Sequence, residues 1–483
     1  MGSLVNLWVK AQRKAKKGQR FLSLVYIIGC CLALPLHARL FGEGPRTGPM
    51  PQRLVIALDG VPYQTMAALR AEGRFRSFHD PARMIATFPS LTNPAMIEIL
   101  HVEDSPGYED HYFDRRQNRL VGGIPDRLRR RRFIQGTFRE TFEYHAPAFE
   151  GALAYVAAPV GAMVIAQADL AGFRRAFHAS HAPVFAGYIG ETDTLAHIGG
   201  EERLKSFLRN LDRTVAELIQ ESGGRLQVEM FSDHSNLFSQ YRRVELNDAI
   251  KRAGFTTEKS LTLARSVVLP KYGLVGCSVL FTAPEYRREL AEACAPVAGV
   301  DFAAYQDGNT ITLVSRRGRA LISRVNDRYK YEAPSGDPLD LSGIVEQLRA
   351  CEALDPSGFT SAADWLQATR DHQYVDPLRR IFDGFNAHVR NGGDVIVSFE
   401  DGYYLGHPLL DMCARLQATH GNLLRGESEG FAISTRQELG SAVCGYELHR
   451  VFEFERLRRA DRYFGESAHC HFGLTLAQLI TGD

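Results

Sequence analysis

The sequence of 483 residues is long enough for one large enzyme domain carrying an insertion, or for two or three smaller domains. With 45% hydrophobic and 23% charged residues, it is neither globally disordered nor a polytopic membrane protein. The net charge of +1 is unevenly spread: residues 1–45 hold seven Lys/Arg against one acid, leaving 50 basic and 55 acidic side chains elsewhere, which argues against binding to nucleic acid polymers.

In chain order, six basic residues (Lys10, Arg13, Lys14, Lys16, Lys17 and Arg20) precede an apolar run over 21–36. Basic charge ahead of an apolar segment predicts a cytoplasmic start, a membrane passage and an exported remainder, tethered at the periplasmic or extracellular face. The run has 16 residues and contains Pro35, short for a span, which takes about 20. An uncleaved anchor fits it. So does a lipoprotein, because Ile27-Ile28-Gly29-Cys30 resembles a lipobox with Cys30 as the lipidated residue. A buried helix of the globular body is the plain alternative. A Gly/Pro-rich stretch over 42–51 then leads into the body.

Residues 53–58 (RLVIAL) read as a buried strand closed by Asp59-Gly60. A helix is expected over 65–72 and a second strand over 82–88. Next, Pro89-Ser90-Leu91-Thr92-Asn93-Pro94 leads into an apolar helical pattern over 95–100, with Thr/Asn at the cap and Pro in the first turn. Residues 184–189 (VFAGYI) form another strand, running into Gly190-Glu191-Thr192-Asp193. The spacing of Leu204, Phe207, Leu211, Val215 and Leu218 predicts an amphipathic helix over 201–221. Residues 226–231 are again a strand, ending at Ser232-Asp233-His234. Strands alternating with helices define an α/β sandwich with a largely parallel sheet. In such sheets chemistry gathers beyond the carboxyl ends of the strands, where Asp59, Asp193 and Asp233 all lie.

Two parts of the catalytic core are expected, 50–260 and 391–483, separated by an inserted cap over 261–390. Within the second part, strands are expected over 394–399, 431–435 and 443–452.

Asp193 and His197 are four apart, so one helical turn points both to one side. Asp233 and His234 are adjacent at a strand end. His420 precedes Gly421, which permits close backbone approach. With Asp59 these make three carboxylates and three imidazoles, enough for two metal sites once Thr92 or water completes them. Singly, each has a bland reading, a cap for the Asp or a satisfied core residue for the His; the ordered set carries the signal. Beyond Cys30 and Cys31 the cysteines are Cys277, Cys294, Cys351, Cys413, Cys444 and Cys470, with no C-x-x-C pair, so a zinc ribbon is not expected.

This order, Asp-Gly, a Thr at a helix start, D-x-x-x-H, S-D-H and T-H-G, resembles the nucleotide pyrophosphatase/phosphodiesterase branch of the alkaline phosphatase superfamily. The resemblance runs over roughly residues 50–440. It implies an alkaline phosphatase-like three-layer sandwich and two divalent ions of zinc type. Asp193, His197 and His420 would hold one ion; Asp59, Asp233 and His234, with Thr92, would hold the other. It implies a small phosphoester substrate, Thr92 as nucleophile and a phospho-threonine intermediate. The nucleophile segment reads Thr-Asn-Pro-Ala-Met where relatives show Thr-Phe-Pro-Asn-His, so Asn93 stands in as the substrate-binding residue. Asp-Thr-Leu-Ala-His lacks the usual Gly before His, and Asp-His-Ser replaces Asp-His-Gly.

Within the same superfamily a phosphomonoesterase or phosphonate hydrolase is the alternative, and outside catalysis a tethered binding protein. Ser90 and Thr87 compete with Thr92 as nucleophile. A sulfatase would need C-x-P-x-R, and Cys294-Ala-Pro-Val-Ala lacks the Arg. The G-x-S-x-G over 426–430 precedes a strand instead of following one, which disfavours a serine nucleophile at Ser428. Five arginines over 127–132 read as a solvated face, with phosphate or lipid contact as the functional alternative.

Overall fold

β1, Arg53–Leu58, is buried at all six positions, as an apolar run must be when both faces and both edges of a strand are covered. A computed structural model of the chain describes residues 50–122, 137–146, 150–407, 410–411 and 415–454. The segment expected to act as a tether, with Cys30, the arginine run over 127–132, Cys413 and Cys470 lie outside these. Among the described residues no helix is long and apolar enough to cross a membrane.

The central sheet has seven strands: β1, β2 (Ala82–Ile85), β3 (Tyr144–His145), β4 (Val184–Ile189), β5 (Gln227–Ser232), β6 (Glu429–Ser434) and β7 (Ala442–Cys444). Their spatial order is β7-β2-β6-β5-β1-β4-β3. β1 runs parallel to both neighbours, with Leu58 opposite Ile189 on β4 and Ser232 on β5. β6 alone runs against its neighbours, β2 and β5. Because β1, β4 and β5 end at one level, the residues that follow them share one rim of the sheet.

Helices cover both faces, giving three layers. On one face Leu54, Ile56 and Leu58 pack with α1 (Tyr63–Ala71), α3 (Glu150–Ala179), α4 (Glu191–Gly199) and α5 (Glu201–Glu221). α5 buries Leu204, Phe207, Leu208, Leu211, Val215 and Leu218, the stripe its spacing predicts. On the other face Val55 and Ala57 pack with α2 (Thr92–Leu100) and α7 (Gly445–Val451).

The structure alters four sequence expectations. Residues 443–452 are a short strand followed by helix α7, because the Glu447 carboxylate accepts the Cys444 N–H at 2.9 Å and caps a turn there. The helix after the Thr-Asn-Pro segment starts earlier than expected: Leu91 is its N-cap, so Thr92 is the first helical residue and not the cap. The thirty-residue α3 fills a stretch in which the sequence reading placed no element. Finally, Val395–Phe399 joins a second seven-stranded sheet with Cys277–Leu280, Val300–Asp307, Thr310–Ser315, Gly318–Val325, Arg328–Gly336 and Thr360–Ser361. A boundary at 390/391 therefore cuts through that sheet, in which Val395–Phe399 lies between Cys277–Leu280 and Val300–Asp307 and pairs antiparallel with both. α6, Pro377–Asn386, packs on this second sheet through Leu378, Ile381 and Phe382.

Candidate active site

Gly60, directly after β1 and Asp59, adopts φ +63°, which lets the chain turn sharply at the sheet rim. A Cβ there would lie 2.3 Å from Asn236 Nδ2 and 2.6 Å from Asp193 Oδ1, so glycine is required by space as well as by φ. Thr192 Oγ1 donates to the Asp59 carbonyl at 2.6 Å, pinning the start of α4 to the same turn. Ser232, the last residue of β5, accepts from Val61 N and donates to His234 O, each at 2.7 Å. These bonds bring the ends of β1, β4 and β5 together.

Asp59 splits its two oxygens between tasks. Oδ2 accepts a hydrogen bond from the buried Tyr188 hydroxyl. Oδ1 accepts from Thr92 Oγ1 at 3.2 Å and lies 3.3 Å from His234 Nε2. Thr92 Oγ1 is in turn 3.3 Å from His234 Nε2. Asp233 Oδ1 accepts from Gly60 N at 3.1 Å, and its Oδ2 is 3.5 Å from His234 Nε2.

Asp193 Oδ1 meets His197 Nε2 at 3.2 Å, as their spacing on α4 requires, and His420 Nε2 at 3.7 Å. The His420 ring stacks on that of His234 with centroids 3.9 Å apart, and sits 5.3 Å from that of His197. Gly421, at φ +122°, lets this loop press against Gly276 N and Cys277. All seven predicted ligand-bearing residues thus converge, with one shift of emphasis. Two close-set donor groups form, Asp59-Asp233-His234 and Asp193-His234-His420, each with atoms within 4.8 Å of one another. His234 belongs to both, and His197 attaches to the second through Asp193.

The donor set fits divalent cations. A carbonyl can only accept, so His234 Nδ1, 3.0 Å from Ser235 O, and His420 Nδ1, 2.7 Å from Ser90 O, both carry their proton there. Each Nε2 is left facing carboxylate oxygens, the arrangement in which an imidazole serves as a ligand held by its other nitrogen. Burial alone would lower the His234 imidazole, but Asp233, the Asp59 hydrogen bond and Asp193 together push it up to about 10. Burial, followed by the charge on His234, holds His420 well below the usual imidazole range. Burial pushes the Asp233 carboxyl well up, and the neighbouring Asp59 adds to it against the pull of His234. The cluster calls for positive charge at His234 Nε2, which a proton or a metal ion can supply.

Asn93 is the second residue of α2, directly after Thr92, and is 8% exposed. The competing hydroxyls are buried: Thr87 is 1% exposed, and Ser90, at 0%, has its Oγ 3.1 Å from both Thr87 O and Asn422 O. Ser428 of the G-x-S-x-G donates to Leu424 O at 2.8 Å and accepts from Arg380 at 2.6 Å, a buried brace with no open face. Cys277, Cys294, Cys351 and Cys444 are all unpaired thiols. Tyr188, Asn236, Ser90 and Arg380 went unread in sequence as site supports, since their bonds join distant segments and no short motif marks them.

The molecule is thus a three-layer α/β sandwich with two adjoining Asp/His clusters and a threonine hydroxyl at the carboxyl rim of its central sheet. No protein-family model matches the chain, and no curated protein does. Among solved structures it is similar to human ectonucleotide pyrophosphatase / phosphodiesterase 5, at 11% identity and a TM-score of 0.45, covering 84% of this chain and 94% of that one. The murine ectonucleotide pyrophosphatase / phosphodiesterase 5 gives 12% identity and TM-score 0.45, over 84% and 94%. An inactive form of the murine protein in complex with AMP gives 11% and 0.45, over 84% and 95%.

Proposed function

We propose that the chain is a metal-dependent phosphoester hydrolase, of the nucleotide pyrophosphatase/phosphodiesterase kind, with Thr92 as nucleophile. The observation that carries this reading is the position of Thr92 Oγ1 at the N-terminus of α2, 3.2 Å from Asp59 Oδ1 and 3.3 Å from His234 Nε2. A threonine hydroxyl is a weak nucleophile at its ordinary pKa and needs such a setting. Two divalent ions of zinc type, one on Asp193, His197 and His420 and one on Asp59, Asp233 and His234, would supply Lewis-acid activation and neutralise developing charge.

Within the chain, Asp59 Oδ1 orients the Thr92 hydroxyl, and Tyr188 fixes that carboxylate by holding its other oxygen. Thr92 Oγ1 attacks phosphorus and gives up its proton; the Oγ–P bond forms as the bond to the leaving oxygen breaks, and the leaving oxygen takes up a proton in exchange. The N-terminus of α2 favours the anionic phosphoryl group on Thr92. Water then attacks phosphorus, the Oγ–P bond breaks, and the hydroxyl regains its proton. Asn93, next on the helix, would contact the phosphoryl oxygens.

Every ion-pair partner of Asp59, Asp193 and Asp233 among the described residues is a histidine. With no Arg or Lys paired to these carboxylates among the described residues, a diester monoanion is better matched than a monoester dianion, which favours phosphodiester or pyrophosphate substrates over the phosphomonoesterase and phosphonate alternatives. The basic-then-apolar N-terminal segment supports tethering outside the cytoplasm, by an anchor or through Cys30.

The test is hydrolysis of an aryl phosphodiester and an aryl phosphomonoester by purified protein, with and without chelator. Metal-dependent turnover with the diester faster is expected. No metal-dependent turnover on either substrate would sink the proposal.

A further inference from the structure

Asn236 lies two residues beyond His234 and is 1% exposed. Its Nδ2 donates twice at 2.8 Å, to the Gly60 carbonyl and to Asp193 Oδ1. These acceptors lie at different clusters: Gly60 directly follows Asp59, and Asp193 sits in the first turn of α4. The amide orientation follows from the acceptors, because exchanging its O and N would set an oxygen against a carbonyl and a carboxylate. Its Oδ1 is buried with no hydrogen-bond partner among the described residues, so the side chain is held for what its NH2 does.

Asp193 has a side chain 20% exposed and is the more open ligand, against 0% for Asp233. Its Oδ1 faces three nitrogens: Asn236 Nδ2, His197 Nε2 and His420 Nε2. An imidazole nitrogen that ligates a metal carries no proton and cannot donate to the carboxylate. Once both histidines serve as ligands, Asn236 is the donor that remains on Asp193. The backbone reinforces this contact, since Gly60 leaves no room for a side chain between the turn, the amide and the carboxylate.

We propose that Asn236 is the positioning residue that fixes Asp193 as a metal ligand and ties it to the Asp59-Gly60 turn. This rests on the two-ion reading above and adds to it a residue outside the ligand set. Hydrogen-bond partners of metal ligands typically change affinity 10–100-fold when removed, roughly the effect expected here.

The experiment uses the full chain, stripped with chelator and titrated with Zn²⁺ by calorimetry and with Co²⁺ by visible absorption. Asn236→Leu matches the side chain in size and lacks the donor; Asn236→Ala is the smaller second variant, and circular dichroism of the ion-free proteins reports folding. Wild type is expected to take two ions. The folded variants should keep one at near wild-type affinity and bind the other roughly 10–100-fold more weakly, with an altered Co²⁺ spectrum. Two ions at unchanged affinity in the variants would overturn the role of Asn236 and leave the metal site standing. A wild-type chain that binds no ion would overturn both.

Discussion

His420 Nδ1 donates to the carbonyl oxygen of Ser90 at 2.7 Å, two residues ahead of Thr92. The bond joins the late loop that carries a metal-type imidazole to the segment that delivers the hydroxyl. Ser90 N returns a bond to Gly421 O at 3.2 Å, so the two loops are paired in both directions. The separation of Thr92 from the Asp/His clusters is therefore set by backbone and not by side-chain rotamers alone.

Replacing the proposed nucleophile separates chemistry from metal binding. Thr92→Ala should lower turnover of an aryl phosphodiester by roughly a thousandfold or more, as expected for loss of a covalent nucleophile. Asp59, Asp193, Asp233, His234 and His420 remain, so metal content measured on the same preparation should match wild type. Loss of both ions with the methyl and hydroxyl would assign Thr92 a structural role.

Metal removal should be visible in stability as well as activity. An ion that binds only the folded chain stabilises it by about 2.7 kcal/mol when present at 100 times its dissociation constant. Chelated protein should unfold at lower temperature and regain both stability and turnover on adding Zn²⁺. His420→Ala should abolish part of that gain, since one of the two donor groups loses an imidazole. An unfolding temperature indifferent to chelator and to added Zn²⁺ would contradict the two-ion reading.

Arg380 on α6 is the buried brace behind the paired loops. Its guanidinium donates to Val375 O at 3.0 Å, Leu423 O at 3.2 Å and Ser428 Oγ at 2.6 Å, and reaches Thr87 O and Ser90 Oγ at 3.4 Å. Burial pulls its pKa down to about 10 against the charges on Asp376 and Glu98, which leaves it a cation at neutral pH. Arg380→Met would strand several buried acceptors, each costing about 1–3 kcal/mol, so a loss of roughly 3–5 kcal/mol in denaturant unfolding is expected. Destabilisation below about 1 kcal/mol would show that water replaces the guanidinium.

What was readable in the sequence follows from where each signal is stored. Asp59, Asp193 and Asp233-His234 sit immediately beyond apolar strands, and the stripe of α5 is a local period; both are written in neighbouring residues. Arg380, Tyr188 and Asn236 hold the site through partners that only the folded topology brings near. The same limit hid the second sheet, where Val395–Phe399 pairs with Val300–Asp307 and with the still more distant Cys277–Leu280. The helix Gly445–Val451 was misread as a strand because Val443 and its neighbours are β-favouring, while the deciding bond comes from the Glu447 carboxylate.

A buried ionic network on α2 makes the last prediction one of pH. Glu98 is 3% exposed; its Oε1 is 3.6 Å from Arg379 Nη2 and accepts from Tyr446 N at 3.1 Å, while its Oε2 is 3.2 Å from His388 Nε2. Burial would raise the Glu98 carboxyl, but Arg379 and His388 outweigh it and hold it down at about 2, below its ordinary 4.5. Burial likewise opposes the charged His388, and the Glu98 hydrogen bond overcomes it to raise the imidazole above 6.5. A depressed carboxyl gives stability that is present above pH 4.5 and lost as pH falls toward 2. A raised imidazole gives stability that is complete below pH 6.5 and lost as pH rises through its folded value. The network is therefore whole between 4.5 and 6.5 and weakens on either side. Glu98→Gln should cost on the order of 3 kcal/mol in that window, remove the lower dependence and weaken the upper one, to which Asp383 also contributes. His388→Gln should remove the upper dependence alone while Arg379 still holds the carboxylate. Unfolding by denaturant below, within and above the window separates these cases, and a Glu98→Gln profile parallel to wild type would dismiss the network as a source of pH dependence.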